Sequence, residues 1–322
     1  MTPRPWLAPL TSVYRLALML RELELGIGVR RIQRLHWPVI SIGSLSTGGA
    51  GKTPLTIALA RALSERGIHV DVLSRGYGRT SRATARVDTN GTAEEYGDEP
   101  LEIACATGVP VYVSARRYEA GVMAETQSSA GIHLLDDGFQ HRWLHRDVDI
   151  VLVSAPDLKD RLLPAGNLRE PLRALCRATC VVAYAEDEGA EAGLKGAGWH
   201  GPVWRIHRHM EVPQLAGPVV AFCGIARPEQ FFAGLEAGGM RLAGRFPFAD
   251  HHRYTTSDVE RLLAEMQNSG ATVCVTTQKD RVRLGRSAEK LPVKVAALRL
   301  EIESRDTNTD WLLNIVAALP PS

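Results

Sequence analysis

The fold is decided by one stretch of the sequence, Ser46-Thr47-Gly48-Gly49-Ala50-Gly51-Lys52-Thr53, which lies between an apolar run and a helical pattern. The apolar run at 38–42 predicts a strand, and residues 53–66 predict a helix. Glycines at such a turn let successive backbone N–H groups face phosphate oxygens, and the helix adds the positive end of its dipole. We interpret the stretch as a phosphate-binding loop in which Lys52 contacts the β- and γ-phosphates and Thr53 ligates Mg²⁺.

The loop departs from the usual pattern G-x-x-x-x-G-K-[ST] at its first position, where this chain has Ser46. A glycine-rich turn without a ligand is the alternative interpretation. The strand before the loop and the helix after it favour phosphate binding, because the motif is specific in that context. We therefore expect the chain to use a nucleoside triphosphate.

Apolar runs alternate with helical patterns along the rest of the chain, as in parallel sheets covered by helices on both faces. The first series predicts strands and crossover helices as follows: strands 39–42, 69–73, 111–113, 132–135, 150–153, 179–184 and 203–209, and helices 53–66, 99–106, 118–127 and 168–176. A linker follows at 213–218, and the second series predicts strands 219–223, 240–246, 272–276 and 293–301 and helices 228–237 and 257–269.

The predicted fold class is α/β, with a P-loop NTPase-type, doubly wound, mostly parallel sheet and a second, smaller α/β domain. Three segments are expected: an amphipathic N-terminal segment at 1–37, a P-loop core at 38–212 and the smaller domain at 213–322. A chain of 322 residues is long enough to bury cores of this size.

The amino-acid composition limits the kinds of partner and metal site that the chain can have. The 38 Lys and Arg residues nearly balance the 36 Asp and Glu residues, giving a net charge of +2, so we expect no nucleic-acid partner. The five cysteines are scattered and lack the second pair that a structural zinc site needs. They predict reduced thiols in a cytosolic protein.

The N-terminal segment predicts an amphipathic helix that starts near Pro9, with apolar side chains at helical spacing: Val13, Leu16, Leu20 and Leu23. No stretch reaches the roughly 18 to 20 apolar residues needed to span a bilayer. Arg15 interrupts the apolar run, which argues against a signal peptide. Two interpretations stay open: the helix packs on the protein's own core, or it lies in a membrane interface.

Two acidic pairs stand at positions suited to catalysis. Asp136 and Asp137 end the predicted strand 132–135, and P-loop enzymes place an acid near Mg²⁺ in this way. In the second pair, Asp98-Glu99, Asp98 lies at a loop-to-helix junction, where Pro100 favours a helix start. Acidic residues at both places can instead cap a helix, so these residues alone leave metal binding, catalysis and capping open.

Two further motifs carry histidine or arginine. In Asp250-His251-His252, a metal pair is disfavoured because adjacent side chains seldom chelate one ion, whereas a histidine oriented by a carboxylate is suited to proton transfer. The loop Ser74-Arg75-Gly76-Tyr77-Gly78-Arg79 follows the second strand and suits an anionic, partly apolar substrate. A solvated surface turn is the alternative for this loop.

Together these motifs resemble those of the tetraacyldisaccharide 4'-kinases, the lipid A 4'-kinases of Gram-negative bacteria. The resemblance runs over almost the whole chain in blocks that are not general P-loop features: residues 43–54, 74–79, 97–100, Asp136-Asp137-Gly138-Phe139-Gln140-His141, Leu163 to Pro171, 224–228 and 250–252. It departs from the family pattern at Ser44, Ser46 and Gln278, where Asn, Thr and Glu are usual. Ser44 has the shorter side chain and is expected to weaken a nucleotide or substrate contact.

The resemblance implies a two-domain, monomeric kinase attached peripherally to the cytoplasmic face of the inner membrane. It implies transfer of the γ-phosphate of ATP, with Mg²⁺, to the 4'-hydroxyl of a tetraacylated glucosamine disaccharide 1-phosphate. Asp98 and His251 would form the dyad that activates the hydroxyl, and domain closure would complete the site. The other implied site residues are Thr47, Gly48, Gly49, Ala50, Gly51, Lys52 and Thr53 for ATP, Thr53, Asp136 and Asp137 for the metal, and Arg75, Tyr77, Arg117, Gln140, His141, Arg169 and Glu170 for the substrate.

Two other classes compete with a kinase. A nucleotide-driven switch or partition protein of the related dimeric P-loop group commonly has a lysine early in the loop, where this chain has Thr47. A membrane-bound lipid-binding protein without turnover would not need Lys52, Asp98, Asp136 and His251, all of which are present. The sequence therefore favours the kinase.

Overall fold

The computed structural model describes residues 4–27, 31–47, 51–128, 130–285 and 290–319. Its helices are α1 Ala8–Gly26, α2 Lys52–Ser64, α3 Ala93–Tyr96, α4 Asp98–Thr107, α5 Arg117–Glu125, α6 Ala190–Gly196, α7 Pro228–Ala237, α8 Thr256–Ser269, α9 Gln278–Leu284 and α10 Arg305–Ala317. Its strands are β1 Val39–Ser44, β2 Val70–Ser74, β3 Ala85–Arg86, β4 Val111–Val113, β5 Ile132–Asp136, β6 Val148–Val153, β7 Cys180–Tyr184, β8 Val203–Glu211, β9 Val219–Cys223, β10 Leu242–Pro247, β11 Cys274–Thr277 and β12 Val293–Ile302.

The strands form one sheet in the order β10-β9-β11-β12-β8-β7-β6-β1-β5-β2-β4-β3. Neighbours are parallel except at two places, the short edge pair β3–β4 and the long pair β8–β12. The β8–β12 pair joins two parallel sets that therefore run in opposite directions. The predicted α/β class with a mostly parallel sheet is confirmed.

The first parallel set is buried on both faces. Along β6, Val148, Ile150 and Leu152 belong to one apolar cluster together with side chains of α2 and α4. The alternate residues Val151 and Val153 belong to a second cluster on the opposite face. Because side chains alternate along a strand, this division places helices or loops over each face and explains the unbroken apolar runs in the sequence.

The second parallel set repeats this arrangement on a smaller scale. Phe222 of β9 packs with α8, whereas its neighbours Ala221 and Cys223 pack with α7 on the other face. The chain then returns to the first set, where Leu300 of β12 and Leu312 of α10 join the large cluster around α2. The division into domains at 38–212 and 213–322 stays a prediction.

One predicted helix is wrong. The segment 168–176 is not an α-helix. Leu168 forms isolated bridges to Ser46 and Leu162, and only Leu172–Arg177 is helical, as a 3₁₀ helix. Pro171 explains the difference, since proline lacks the N–H that a helix interior needs and pushes the preceding residue toward extended backbone. The extended segment that results pairs with the start of the phosphate-binding loop, where the Arg169 N–H donates to the Leu45 carbonyl at 2.7 Å.

The N-terminal helix α1 has no buried residue. Tyr14 and Leu18 are half-buried against the second apolar cluster. Six other large apolar residues of α1 are each more than half exposed: Leu10, Val13, Leu16, Met19, Leu20 and Leu23. In the part of the chain that the structure describes, no helix has the length and apolarity to cross a membrane.

Candidate active site

The phosphate-binding loop is described at its two ends, and residues Gly48, Gly49 and Ala50 lie outside the described residues. Gly51 precedes α2 with a φ of +92°, and a Cβ there would lie 2.4 Å from the Tyr184 hydroxyl oxygen. Glycine is therefore required at this position on both conformational and steric grounds. The loop joins β1 to α2 as predicted, and Lys52 and Thr53 form the first turn of the helix.

Lys52, Asp137 and Arg169 lie together beside the loop. The Lys52 Nζ lies 3.5 Å from an Asp137 oxygen and 3.3 Å from the Ser44 hydroxyl. Arg169 donates to both Asp137 oxygens, at 3.0 and 2.8 Å, and to the Ser46 carbonyl at 3.2 Å. Burial alone would raise the pKa of Asp137, but the Arg169 hydrogen bonds and the Lys52 charge lower it below its usual range.

Asp136 lies at the end of β5, the strand that pairs with β1, in register with Ile42. Its carboxylate accepts a hydrogen bond from the Thr56 hydroxyl at 3.0 Å and is 2% exposed. Burial raises the pKa of Asp136 to about 7, and the neighbouring carboxylates of Glu99 and Asp137 add to the effect. A nearby cation would stabilise the ionised form of a carboxylate that is buried beside other negative charges.

The donor set fits Mg²⁺. Thr53 is buried at the first turn of α2, and Asp136 and Asp137 supply hard carboxylate oxygens. Among the described residues, no three His, Cys, Asp or Glu side chains are grouped to hold a metal ion by themselves. Mg²⁺ commonly takes only one or two protein carboxylates and completes its shell with phosphate and water.

A cluster of basic side chains, Arg75, Arg117, His141 and Arg146, lies next to these acids and is called the cationic pocket below. Arg117 is 7% exposed, and its pKa falls to about 10 because of burial and the charge of Arg75. Burial, with the charges of Arg117, Arg146 and Arg75, lowers the pKa of His141 to about 4, so this imidazole is neutral near pH 7. The Arg117 Nε is buried without a hydrogen-bond partner, which leaves a donor for an anion.

Gln140 and Tyr77, two further predicted substrate residues, have different environments. Gln140 donates from Nε2 to the Ser44 carbonyl at 3.0 Å, so its side chain is tied to the start of the phosphate-binding loop. Tyr77 is 75% exposed in the loop after β2. Gly76 in that loop lies against Gly97, whose φ is +93° and where a Cβ would be 3.0 Å from the Gly76 backbone. This close approach holds the Tyr77 loop beside the start of α4.

Asp98 and His251 form a direct contact, with the His251 Nδ1 2.9 Å from the Asp98 Oδ2. Asp98 is the first residue of α4, and it does not cap the helix, because Gly97 occupies that position without a side-chain bond. His251 has a φ of +59°, a left-handed conformation that is uncommon for histidine, and its N–H donates to the Asp250 carboxylate at 3.0 Å. Such backbone strain clusters at functional sites.

The adjacent His252 has a different environment. Its Nε2 lies 3.0 Å from the Asp258 carboxylate at the start of α8, and its ring stacks on Phe248 at a centroid distance of 4.7 Å. Of the two consecutive histidines, His252 therefore makes a structural contact, and His251 pairs with Asp98.

Glu170 lies apart from this group. It is 3% exposed and forms ion pairs with Arg21 of α1 at 3.1 Å and with Arg177 at 2.5 Å. Tyr14 of α1 donates to the Arg169 carbonyl at 2.9 Å. The structure thus places Glu170 beneath α1, and a role for it in substrate binding stays a prediction.

Arg283 was not predicted from the sequence as a site residue, although its side chain contacts both Asp98 and His251. It lies on α9, which was not predicted because its seven residues are mostly polar and show no apolar period. The spacing Asp280 to Arg283 was the only available indication, since residues three apart meet on a helix face.

The geometry can be compared with known proteins. The sequence profile of the tetraacyldisaccharide-1-P 4'-kinase family matches residues 3–317. The chain belongs to this family. It is 41% identical to the tetraacyldisaccharide 4'-kinase of Koribacter versatilis over 320 residues, covering 96% of this chain and 98% of that protein. It is also 41% identical to the Geobacter metallireducens kinase, over 93% and 94% of the two chains.

A solved structure agrees with the assignment. The crystal structure of the "apo" form of LpxK from Aquifex aeolicus in complex with ATP superposes with a TM-score of 0.80. The two chains are 33% identical, and the match covers 96% of this chain and 98% of that one. The likeness therefore includes both parallel sets of the sheet and the elements that hold the site.

Proposed function

We propose that this member of the family is an ATP-dependent kinase that phosphorylates the 4'-hydroxyl of a tetraacylated glucosamine disaccharide 1-phosphate, a step of lipid A biosynthesis. The observation that carries the proposal is the contact between Asp98 and His251, which joins the start of α4 to the loop after β10 beside a phosphate-binding loop. A dyad so placed gives the kinase a proton acceptor for a hydroxyl.

Phosphoryl transfer depends mainly on positioning and charge neutralisation. In this proposal Lys52 contacts the β- and γ-phosphates, supported by its position beside Asp137, which Arg169 holds near the loop. Asp98 accepts the proton of the 4'-hydroxyl as the oxygen attacks the γ-phosphorus, and His251 stabilises that carboxylate. The bond between the γ-phosphorus and its bridging oxygen breaks, and ADP leaves.

Thr53, Asp136 and Asp137 would hold Mg²⁺. When bound, the ion supplies charge neutralisation at the phosphates. Gly51 and residues 48–50 would supply backbone N–H donors to the phosphates. The Thr47 N–H donates to the Asn167 carbonyl at 2.8 Å, so Thr47 would position the loop rather than donate its N–H to ATP.

The cationic pocket is proposed to receive the anionic disaccharide. Arg117 offers an unpartnered buried donor, and Arg75 stands at the exposed side of the pocket. His141 is neutral and can both donate and accept a hydrogen bond to sugar hydroxyls. Further proposed contacts to the substrate come from Tyr77, Gln140, Arg169 and Glu170.

We place the kinase at the cytoplasmic face of the inner membrane, as a peripheral monomer. The support is the exposed apolar face of α1, because a surface of several large apolar side chains marks an interaction site. Basic residues such as Arg15 flank this face, which suits a helix lying among anionic headgroups. An acylated substrate would then be reached without leaving the bilayer.

Residues 38–212 and 213–322 are proposed to be the two domains of the kinase. Asp98 comes from the first and His251 from the second, so the dyad is complete only when the two are together. This arrangement would limit transfer of the phosphate to water.

The test is Mg²⁺-dependent transfer of radiolabelled γ-phosphate from ATP to the tetraacyldisaccharide 1-phosphate in mixed micelles. Label is expected in the lipid with the wild type, and not with Lys52→Ala. The exposed Lys195→Ala is the matched control and should retain full transfer. Tight ATP binding without label in the lipid would contradict the proposal and favour a different acceptor or a nucleotide switch.

A further inference from the structure

Arg283 lies at the centre of the contacts that hold the dyad. Its side chain is 4% exposed, and its Nε donates to the Asp98 Oδ2 at 2.7 Å. Its Nη2 lies 3.0 Å from the His251 Nδ1. One guanidinium therefore contacts both members of the dyad, which come from distant parts of the chain.

The guanidinium is itself fixed from behind. Its Nη1 donates to the Gly224 carbonyl at 2.7 Å and lies 3.2 Å from an oxygen of Asp280, a fully buried carboxylate. The same Asp280 oxygen accepts the Gly224 N–H at 3.0 Å, and its partner oxygen accepts from the Thr277 hydroxyl. Arginine presents its donors as a planar fork, so anchoring one side fixes the direction of the others.

The contacts are unevenly divided between the two Asp98 oxygens. Arg283 and His251 both bind Oδ2. Among the contacts of the described residues, Oδ1 receives no hydrogen bond, and the Asp98 side chain is 19% exposed. One oxygen is held by the protein, and the other is directed toward the solvent-accessible side.

We propose that Arg283 is a positioning residue for the kinase reaction: it fixes Asp98 through Oδ2 so that Oδ1 faces the acceptor hydroxyl, and it makes this alignment depend on α9. The inference rests on the proposed function, because it assigns the orientation of the same proton acceptor. Arg283 does not contact the substrate in this role and acts through Asp98 alone.

The alternative is a purely structural ion pair between α4 and α9. The same two helices provide a comparison, since Lys279 lies 3.5 Å from Glu99, one turn away from Arg283. Lys279→Met therefore measures what loss of an α4–α9 pair does to the unfolding midpoint. Arg281→Met is the matched control, because Arg281 lies on α9 and forms no ion pair among the described residues.

The experiment compares Arg283→Met and Arg283→Lys with these controls, measuring kcat, KM for ATP and for the lipid, and the unfolding midpoint. Arg283→Met should lower kcat by about 10²-fold, at the low end of the effect of a displaced acid–base group, with KM for ATP within about twofold. Arg283→Lys should recover part of the loss, because lysine keeps the charge but lacks the fork.

The decisive measurement places each Arg283 substitution in an Asp98→Asn background. If Arg283 acts through Asp98, the second substitution should lower kcat by less than about twofold there. A loss as large as in the wild-type background would overturn the inference, as would wild-type kcat in a folded Arg283→Lys protein. Should Arg283→Met not fold, the Lys variant alone still decides between these outcomes.

Failure of the inference and failure of the proposed function have different signatures. Wild-type transfer of label to the lipid, together with unaffected Arg283 variants, overturns only the inference. Absence of transfer by the wild type overturns both.

Discussion

The site has two sides that differ in how the chain assembles them. On the phosphate side, Lys52 contacts Ser44 only eight residues earlier, and Arg169 binds Asp137 at a separation of 32 residues. On the dyad side, Asp98 contacts His251 and Arg283 at separations of 153 and 185 residues. The first group is built by one loop and adjacent strands, whereas the second needs both parallel sets of the sheet. Nucleotide binding and proton acceptance should therefore be separable by mutation.

The largest effect is expected on the phosphate side, from Lys52→Ala. This substitution removes the charge placed for the β- and γ-phosphates, so kcat/KM should fall by 10³-fold or more. ATP binding should weaken as well, which single-turnover transfer and equilibrium ATP titration would separate. An unchanged ATP affinity together with normal transfer would contradict the assignment of Lys52.

Dyad substitutions should lower kcat by about 10²- to 10³-fold and leave ATP affinity within about twofold. Asp98→Ala and His251→Ala should have similar effects, and the double variant should lose little more than either alone, because the two side chains act as a unit. Additive losses in this cycle, or very unequal single losses, would separate the two residues. Weaker ATP binding in these variants would erase the distinction between the two sides.

The same distinction explains what the sequence could predict. The loop at 46–53 and the acid at the end of the strand beside it are local features, so Lys52 and Asp136 were placed correctly relative to β1. The order of the parallel strands followed from apolar periodicity, whereas the helices α6, α9 and α10 were not predicted. The pairing of Asp98 with His251 was implied only by family resemblance, since no pattern in the chain relates positions so far apart.

Three features of the structure that were not predicted from the sequence have physical causes. Pro171 ends the helical pattern predicted for 168–176 and leaves Arg169 on an extended segment. The ion pair of Glu170 with Arg21 depends on where α1 packs, and the expected role of Glu170 in substrate binding stays a prediction. Arg283 escaped notice because a short polar helix carries no apolar period, although its contacts are tertiary and well defined.

An intermediate effect is expected from Arg169→Met. Loss of its two hydrogen bonds to Asp137 removes the largest influence that lowers the pKa of that carboxylate. We expect kcat/KM to fall by about 10- to 100-fold, and the Mg²⁺ concentration for half-maximal rate to change, because Asp137 loses its orientation. Arg173→Met is the control, since this exposed arginine forms no ion pair among the described residues. An unchanged Mg²⁺ dependence would contradict the role of Arg169.

On the dyad side, a buried carboxylate on α4 is expected to make the free energy of unfolding depend on pH. Glu102 lies one turn after Asp98 on α4, and its Oε2 is buried without a hydrogen-bond partner. Burial raises the pKa of Glu102 from 4.5 to about 7. The folded state thus holds this proton more tightly than the unfolded state, so the group disfavours folding increasingly as pH rises from about 4.5 through 7.

Glu102→Gln should therefore gain stability relative to the wild type between pH 5 and pH 8, by about 2 to 3 kcal/mol from the size of the shift. Urea unfolding at the two pH values measures the difference. Glu260→Gln, on the exposed face of α8, should change stability equally at both. If the Glu102 variant instead lost stability at pH 8, the ionised carboxylate would be stabilised by Lys279, which lies near it.

The smallest effect on catalysis is expected from substitutions on the exposed surface of α1. This helix contacts the phosphate side through the hydrogen bond from Tyr14 to the Arg169 carbonyl. Leu16→Glu combined with Leu20→Glu places charge on the exposed apolar face and does not touch that bond. Vesicle binding should fall strongly, whereas transfer to detergent-dispersed substrate should stay within about threefold of the wild type. Co-sedimentation with anionic vesicles and the micelle assay measure the two properties. Loss of folding in this variant would mean that the face packs on protein, and retained vesicle binding would assign membrane contact to another surface.

Tyr14→Phe tests the link in the opposite sense: vesicle binding should be retained, and any fall in kcat should appear with dispersed and vesicle-bound substrate alike, because the bond to the segment that holds Arg169 is lost in both.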